Sequence, residues 1–176
     1  MAFVTSSASR AAVGPAAKAS AAGFAPSLKG RALRYLSQRE HSRVELERKL
    51  RRWVQDDDEA TAAQQISAAL DELVAKGLLS DERTAESVLN GKGARFGVRR
   101  LRQELQAKGL DAELVGVTLS RAKTTELERA REVWRRKFGT LPGDAREHAK
   151  QARFLAARGF LGDVISRILQ GADGRD

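Results

Sequence analysis

From Ser27 to the C-terminus the apolar residues recur at three- and four-residue spacing in short bursts, each closed by a glycine, a polar break or a proline. That spacing puts apolar side chains on one face of a helix, and no segment shows the period-two alternation of a half-buried strand. The bursts predict helices over 28–38, 43–54, 60–76, 81–90, 98–108, 111–122, 125–138, 144–158 and 162–170. Ser42 followed by Glu45 forms a capping-box signature at the second start. Gly77, Gly109 and Gly159 stand where helices must stop, and Gly77 sits where a left-handed cap is wanted.

The bursts repeat. Lys108-Gly109-Leu110-Asp111 through Leu119 aligns with Arg158-Gly159-Phe160-Leu161 through Leu169 at an offset of 50, and Leu46 and Leu50 align with Leu101 and Leu105 at an offset of 55. The economical reading is an all-α chain of three tandem three-helix repeats in an elongated, curved array, at 27–78, 79–123 and 124–171. Units this small bury little alone, so neighbours must share apolar surface. Residues 1–26, rich in Ala, Ser and Gly, read as a disordered basic tail, with an organellar transit peptide ranked below it. Residues 172–176 read as a C-terminal tail.

Of 176 residues, 32 are Lys or Arg and 23 Asp or Glu, a formal net charge of +9. The surplus is uneven. Residues 1–30 carry +3, 31–80 are neutral, 81–110 carry +3, 111–126 carry −1 and 127–176 carry +4. Such a surplus favours polyanions, nucleic acid first. The chain has no cysteine, which excludes disulfides and thiolate chemistry. No apolar run approaches the roughly 20 residues of a membrane span, so a soluble protein without membrane contact is expected; its expected location is the cytoplasm.

The strongest candidate surface is Lys92, Arg95, Arg99, Arg100 and Arg102, with Phe96 among them, on and after a predicted basic loop over 91–97. The basic side chains suit phosphates, free amides at the next helix start would favour an anion, and Phe96 offers a ring for base stacking. Phe96 taken alone reads first as a core residue. A second group is Arg43, Arg48, Lys49, Arg51 and Arg52, partly neutralised by Glu45 and Glu47 and equally readable as a solvated face. A third is Arg146, Lys150, Arg153 and Arg158. Gly91-Lys92-Gly93 lacks the spacing of a nucleotide-binding loop, and His41 and His148 stand isolated, so no cofactor or metal is expected. Asp56-Asp57-Asp58-Glu59 reads as a solvated helix start rather than a nuclease centre. Nothing arranges Ser, Thr and His as a triad, and no enzyme is expected.

Four stretches resemble the RecX family: Arg39-Glu40-His41-Ser42-Arg43-Val44-Glu45-Leu46; Leu70-Asp71-Glu72-Leu73 through Lys76-Gly77-Leu78-Leu79-Ser80-Asp81-Glu82-Arg83; Phe96-Gly97-Val98-Arg99-Arg100-Leu101-Arg102-Gln103-Glu104-Leu105 with Lys108-Gly109-Leu110; and Arg153-Phe154-Leu155-Ala156-Ala157-Arg158-Gly159-Phe160. They stand in family order over nearly all of 30–170. The resemblance implies three-helix repeats and a regulator that binds the filament of RecA recombinase on single-stranded DNA; a monomer is expected. It further implies suppression of RecA's ATPase, strand exchange and co-protease activities. Thr84 departs from the family, which usually carries an aromatic there. The residues alone leave open a general DNA-binding repeat protein without RecA preference.

Overall fold

The computed structural model describes residues 26–54 and 59–171. The described residues form α1 Leu28–Leu36, α2 Arg43–Arg51, α3 Glu59–Ala75, α4 Asp81–Lys92, α5 Val98–Ala107, α6 Ala112–Thr124, α7 Glu126–Lys137, α8 Ala145–Ala157 and α9 Gly162–Leu169, with a 3-10 turn at Gly93–Arg95 and no strand. All but Pro26 of the predicted N-terminal tail, Gln55 to Asp58 of the acidic interruption, and 172–176 lie outside the described residues.

Local chemistry sets most helix starts. The side chains of Ser27, Ser42, Ser80, Asp111 and Asp144 each accept a backbone amide three residues on, and at Ser42 the carboxylate of Glu45 completes the reciprocal box. Each bond satisfies an amide with no partner in its own helix. The stops are equally specific. Gly77, Gly109 and Gly159 all take positive φ, at 66°, 74° and 82°. The following amides of Leu78, Leu110 and Phe160 fold back onto the carbonyls of Leu73, Leu105 and Leu155. This is the hydrogen-bond pattern of a left-handed helix end, which favours glycine because a Cβ is strained there.

The apolar faces close three separate cores. In the first, Ala32 of α1 packs with Leu46 and Leu50 of α2 and Ile66, Leu70 and Leu73 of α3. The second joins α4, α5 and α6 through Val88, Leu101, Leu105, Val115 and Leu119, and the third joins α7, α8 and α9 through Ala130, Leu155, Phe160, Ile165 and Ile168. Leu46, Leu50, Leu101, Leu105 and Leu155 are fully buried, each stabilising the fold by about 1.5–3 kcal/mol relative to exposure. Thr84 is buried too, its hydroxyl donating to the Ser80 carbonyl at 3.1 Å, so this chain fills the position with a small side chain satisfied within its own helix.

The repeats meet at two seams built alike. At the first, the hydroxyl of Ser42, which caps α2, donates to the carbonyl of Lys108 in the glycine turn after α5. At the second, the amide of Gly97, which caps α5, donates to the carbonyl of Arg158 in the glycine turn after α8, at 2.9 Å. Ser42 and Gly97 are 55 residues apart, and Lys108 and Arg158 are 50 apart, the offsets that relate the repeats in sequence. The start of one repeat's second helix therefore docks on the following repeat's glycine turn, twice over. The first seam adds the Arg43 amide to Asp81 at 2.9 Å and the ion pairs Lys108–Glu45 at 2.9 Å and Arg83–Glu40 at 3.0 Å.

Candidate nucleic-acid interface

The basic surface around Phe96 is shaped by a residue 33 positions downstream. Gly91 and Lys92 extend α4 and Gly93–Arg95 adds a 3-10 turn, so the loop predicted over 91–97 is helical except for its last two residues. Arg129 of α7 is the reason. Its guanidinium donates to the carbonyls of Gly93, Phe96 and Ala122 at 2.5–2.6 Å, tying the end of that turn to the next repeat. Burial pushes the Arg129 guanidinium below the ordinary arginine range, an effect the nearby Glu126 carboxylate opposes. Sequence spacing does not reveal such a clamp, because it joins two repeats.

The expectation of free amides at the start of α5 does not hold. Gly97 and Arg99 donate to the carbonyls of Arg158 and Gly159, and Val98 donates to the buried Glu126 carboxylate at 3.0 Å. The third repeat fills the position an anion would take.

The predicted basic side chains divide. Lys92 and Arg100 both reach Glu104, at 2.6 and 3.3 Å, and draw its carboxyl below the usual range, Lys92 first. Among the described residues, Arg95, Arg99 and Arg102 are exposed and form no salt bridge. Arg99 and Arg102 lie three apart on α5, so they share its outer face. Phe96 is half-buried against the second core, the packing its sequence context favoured, and it also lines the groove between repeats 2 and 3.

In the second group Arg43 is held by Asp71 at 2.7 Å and Glu47 at 3.1 Å, and Arg51 by Glu59. Arg52 donates to the Tyr35 hydroxyl at 2.7 Å, and the Lys49 ammonium lies 4.5 Å from the Tyr35 ring centroid, while Arg48 faces solvent. The group is thus spread around α2. In the third, Arg146, Lys150 and Arg153 are all exposed at helical spacing along α8, whereas Arg158 turns back over the Phe154 ring at 3.7 Å. The structure also brings Arg136, Lys137 and Phe154 opposite Arg95 and Phe96. No short-range sequence signal joins these five, because they come from two helices and the 3-10 turn with the residue that follows it.

Among the described residues no group of three or more His, Asp or Glu side chains gathers to hold a metal ion, and no helix is long and apolar enough to cross a membrane. Family models for the first, second and third three-helix domains of RecX match residues 29–63, 80–119 and 124–169. The regulatory protein RecX of Leptothrix cholodnii is 53% identical over 147 residues, 84% of this chain and 90% of the relative. That of Ralstonia nicotianae is 47% identical over 84% of this chain and 89% of its own. The crystal structure of RecX from Lactobacillus salivarius superposes with a TM-score of 0.67 at 24% identity, covering 82% of this chain and 93% of that one. Its likeness is one of fold. With all three domains matched in sequence and joined by seams of one design, the chain belongs to the RecX family of regulatory proteins.

Proposed function

We propose that this regulatory protein binds the RecA–single-stranded DNA filament in the cytoplasm and restrains RecA's ATP hydrolysis, strand exchange and co-protease activity. Membership of the RecX family is the observation that carries the reading. The architecture supports it physically. Three linked repeats engage successive protomers of a filament more strongly than any one alone, since the second and third contacts are intramolecular. Exposed Arg95, Arg99 and Arg102, which form no salt bridge among the described residues, would supply the cations that a strand within the filament requires. Bridging would then hold protomers in one state of their cycle or favour their loss. The test is RecA's ATPase on single-stranded DNA with this protein added substoichiometrically. Hydrolysis is expected to fall, and unchanged hydrolysis with unchanged filament length overturns the proposal.

The same exposed arginines favour a second reading, a general DNA-binding repeat protein without RecA preference. It predicts steeply salt-dependent binding to bare DNA and no crosslink to RecA.

A further inference from the structure

A groove of about 410 Å³ runs along the junction of repeats 2 and 3, within the roughly 300–1,000 Å³ of ligand-sized pockets. Its floor is apolar, made by Phe96, Val133 and Phe154, and its rim carries Arg95, Arg136, Lys137 and Arg158 with no carboxylate in the lining. The corresponding groove between repeats 1 and 2, about 550 Å³, is lined by Glu40, Glu45 and Glu104 among its cations, so its charge is largely cancelled. Of these two, only the second groove joins a basic rim to aromatic rings with no carboxylate among its lining residues.

Guanidinium groups border both rings of the groove. The Arg158 guanidinium lies 3.7 Å from the Phe154 ring centroid, and the Phe138 ring stands edge-on to Phe154 at 5.1 Å. Arg95 and Arg100 flank Phe96, each 5.9 Å from its centroid. Aromatic faces and guanidinium planes both stack on nucleobases. Arg136 pairs with Glu132 at 2.7 Å, but its side chain is 75% exposed, and such a surface pair yields readily to a phosphate.

We infer that this groove takes a segment of single-stranded nucleic acid, a base stacking on the Phe96 and Phe154 rings beside the Arg158 guanidinium and flanking phosphates meeting Arg95, Arg136 and Lys137. The inference rests on the filament reading only in naming where the strand lies. An acidic peptide would satisfy the rim and leave the rings unused.

The test is fluorescence anisotropy of a labelled oligothymidine with the full chain across a salt series. Replacing Arg136 and Lys137 together with Ala is expected to weaken binding about tenfold and to reduce the salt slope by about 1.4, two phosphates at about 0.7 each. Phe154→Leu, which keeps most of the volume, should weaken oligothymidine binding at least about fivefold while leaving an abasic strand of equal length unaffected. Because that change touches the third core, a wild-type control carries the same point. A strand bearing 5-iodouracil should photocrosslink to peptides containing Phe96 or Phe154. The inference is overturned by wild-type affinity in the Arg136/Lys137 variant, by crosslinks confined to other repeats, by abasic and thymidine strands binding alike, or by polyglutamate competing as well as a strand of equal charge. The titration contains no RecA. A wild-type chain that leaves RecA hydrolysis unchanged therefore overturns the filament reading alone, and variants that bind strands normally overturn the groove alone.

Discussion

Gly97 and Gly159 meet backbone against backbone: a Cβ on Gly97 would lie 2.3 Å from the Gly159 carbonyl oxygen and 2.3 Å from the Phe160 amide. Gly97 donates to the carbonyl just before that glycine and Arg99 donates to Gly159 itself. Gly97→Ala must therefore push repeats 2 and 3 apart. The expected loss is about 2–4 kcal/mol, read as a lowered urea midpoint. Gly91→Ala is the control. Gly91 lies in α4 with nothing within 4 Å of the added Cβ, and the change should stabilise by about 0.5–1 kcal/mol.

Glu126 is the acidic counterpart of that contact. It is fully buried, one oxygen accepts the Val98 amide at 3.0 Å, and the other has no hydrogen-bond partner. Glu126→Ala should cost about 1–3 kcal/mol by orphaning the amide. Glu126→Gln keeps an acceptor for Val98 and should cost less. Chemical denaturation of the two variants tests the order, and equal losses would show that the negative charge matters more than the acceptor.

Acid should weaken the first seam in two steps. Burial first, then Arg39, holds the His41 imidazole below its ordinary 6.5, with Glu45 opposing. A depressed histidine stabilises the fold above about pH 6.5 and loses that contribution as pH falls. Burial pushes the Glu45 carboxyl up, but hydrogen bonds from Arg39, Lys108 and the Ser42 amide outweigh it and bring it to about 2. Glu45 therefore contributes fully above about pH 4.5 and loses its share between there and pH 2, on the order of 1–2 kcal/mol after solvent screening. Thermal melts of Glu45→Gln should flatten the lower step and keep the upper one.

Replacing Arg95, Arg99 and Arg102 with Ala should weaken inhibition of RecA while leaving far-ultraviolet circular dichroism unchanged, because all three are exposed and form no salt bridge among the described residues. On single strands the salt slope should fall by about 2. Replacing Arg43 instead should lower stability, since its guanidinium is held by Asp71 and Glu47.

The helices and their threefold repetition were legible because their determinants are local. Ser42 and Glu45 form the expected capping box, and Gly77, Gly109 and Gly159 take the left-handed conformation at helix ends. The helical state of 91–95 was not legible, since two glycines in five residues argue for a loop and the opposing clamp, Arg129, lies in the next repeat. The candidate surface was half legible. Its arginines stand out in sequence, but their sorting into paired and unpaired depends on Glu104 one helical turn beyond Arg100. The aromatic groove was hidden, because Phe96 and Phe154 are 58 residues apart and meet only through the second seam.

Among the described residues the three cores share no buried side chain, and hydrogen bonds, ion pairs and close glycine contacts run from each repeat to the next. Opening of one repeat thus leaves its neighbours' interiors dry. Deep amide protons should exchange with solvent in three sets, each with its own protection. The amides of Gly97 and Arg99, shared across a seam, should follow whichever of repeats 2 and 3 opens first.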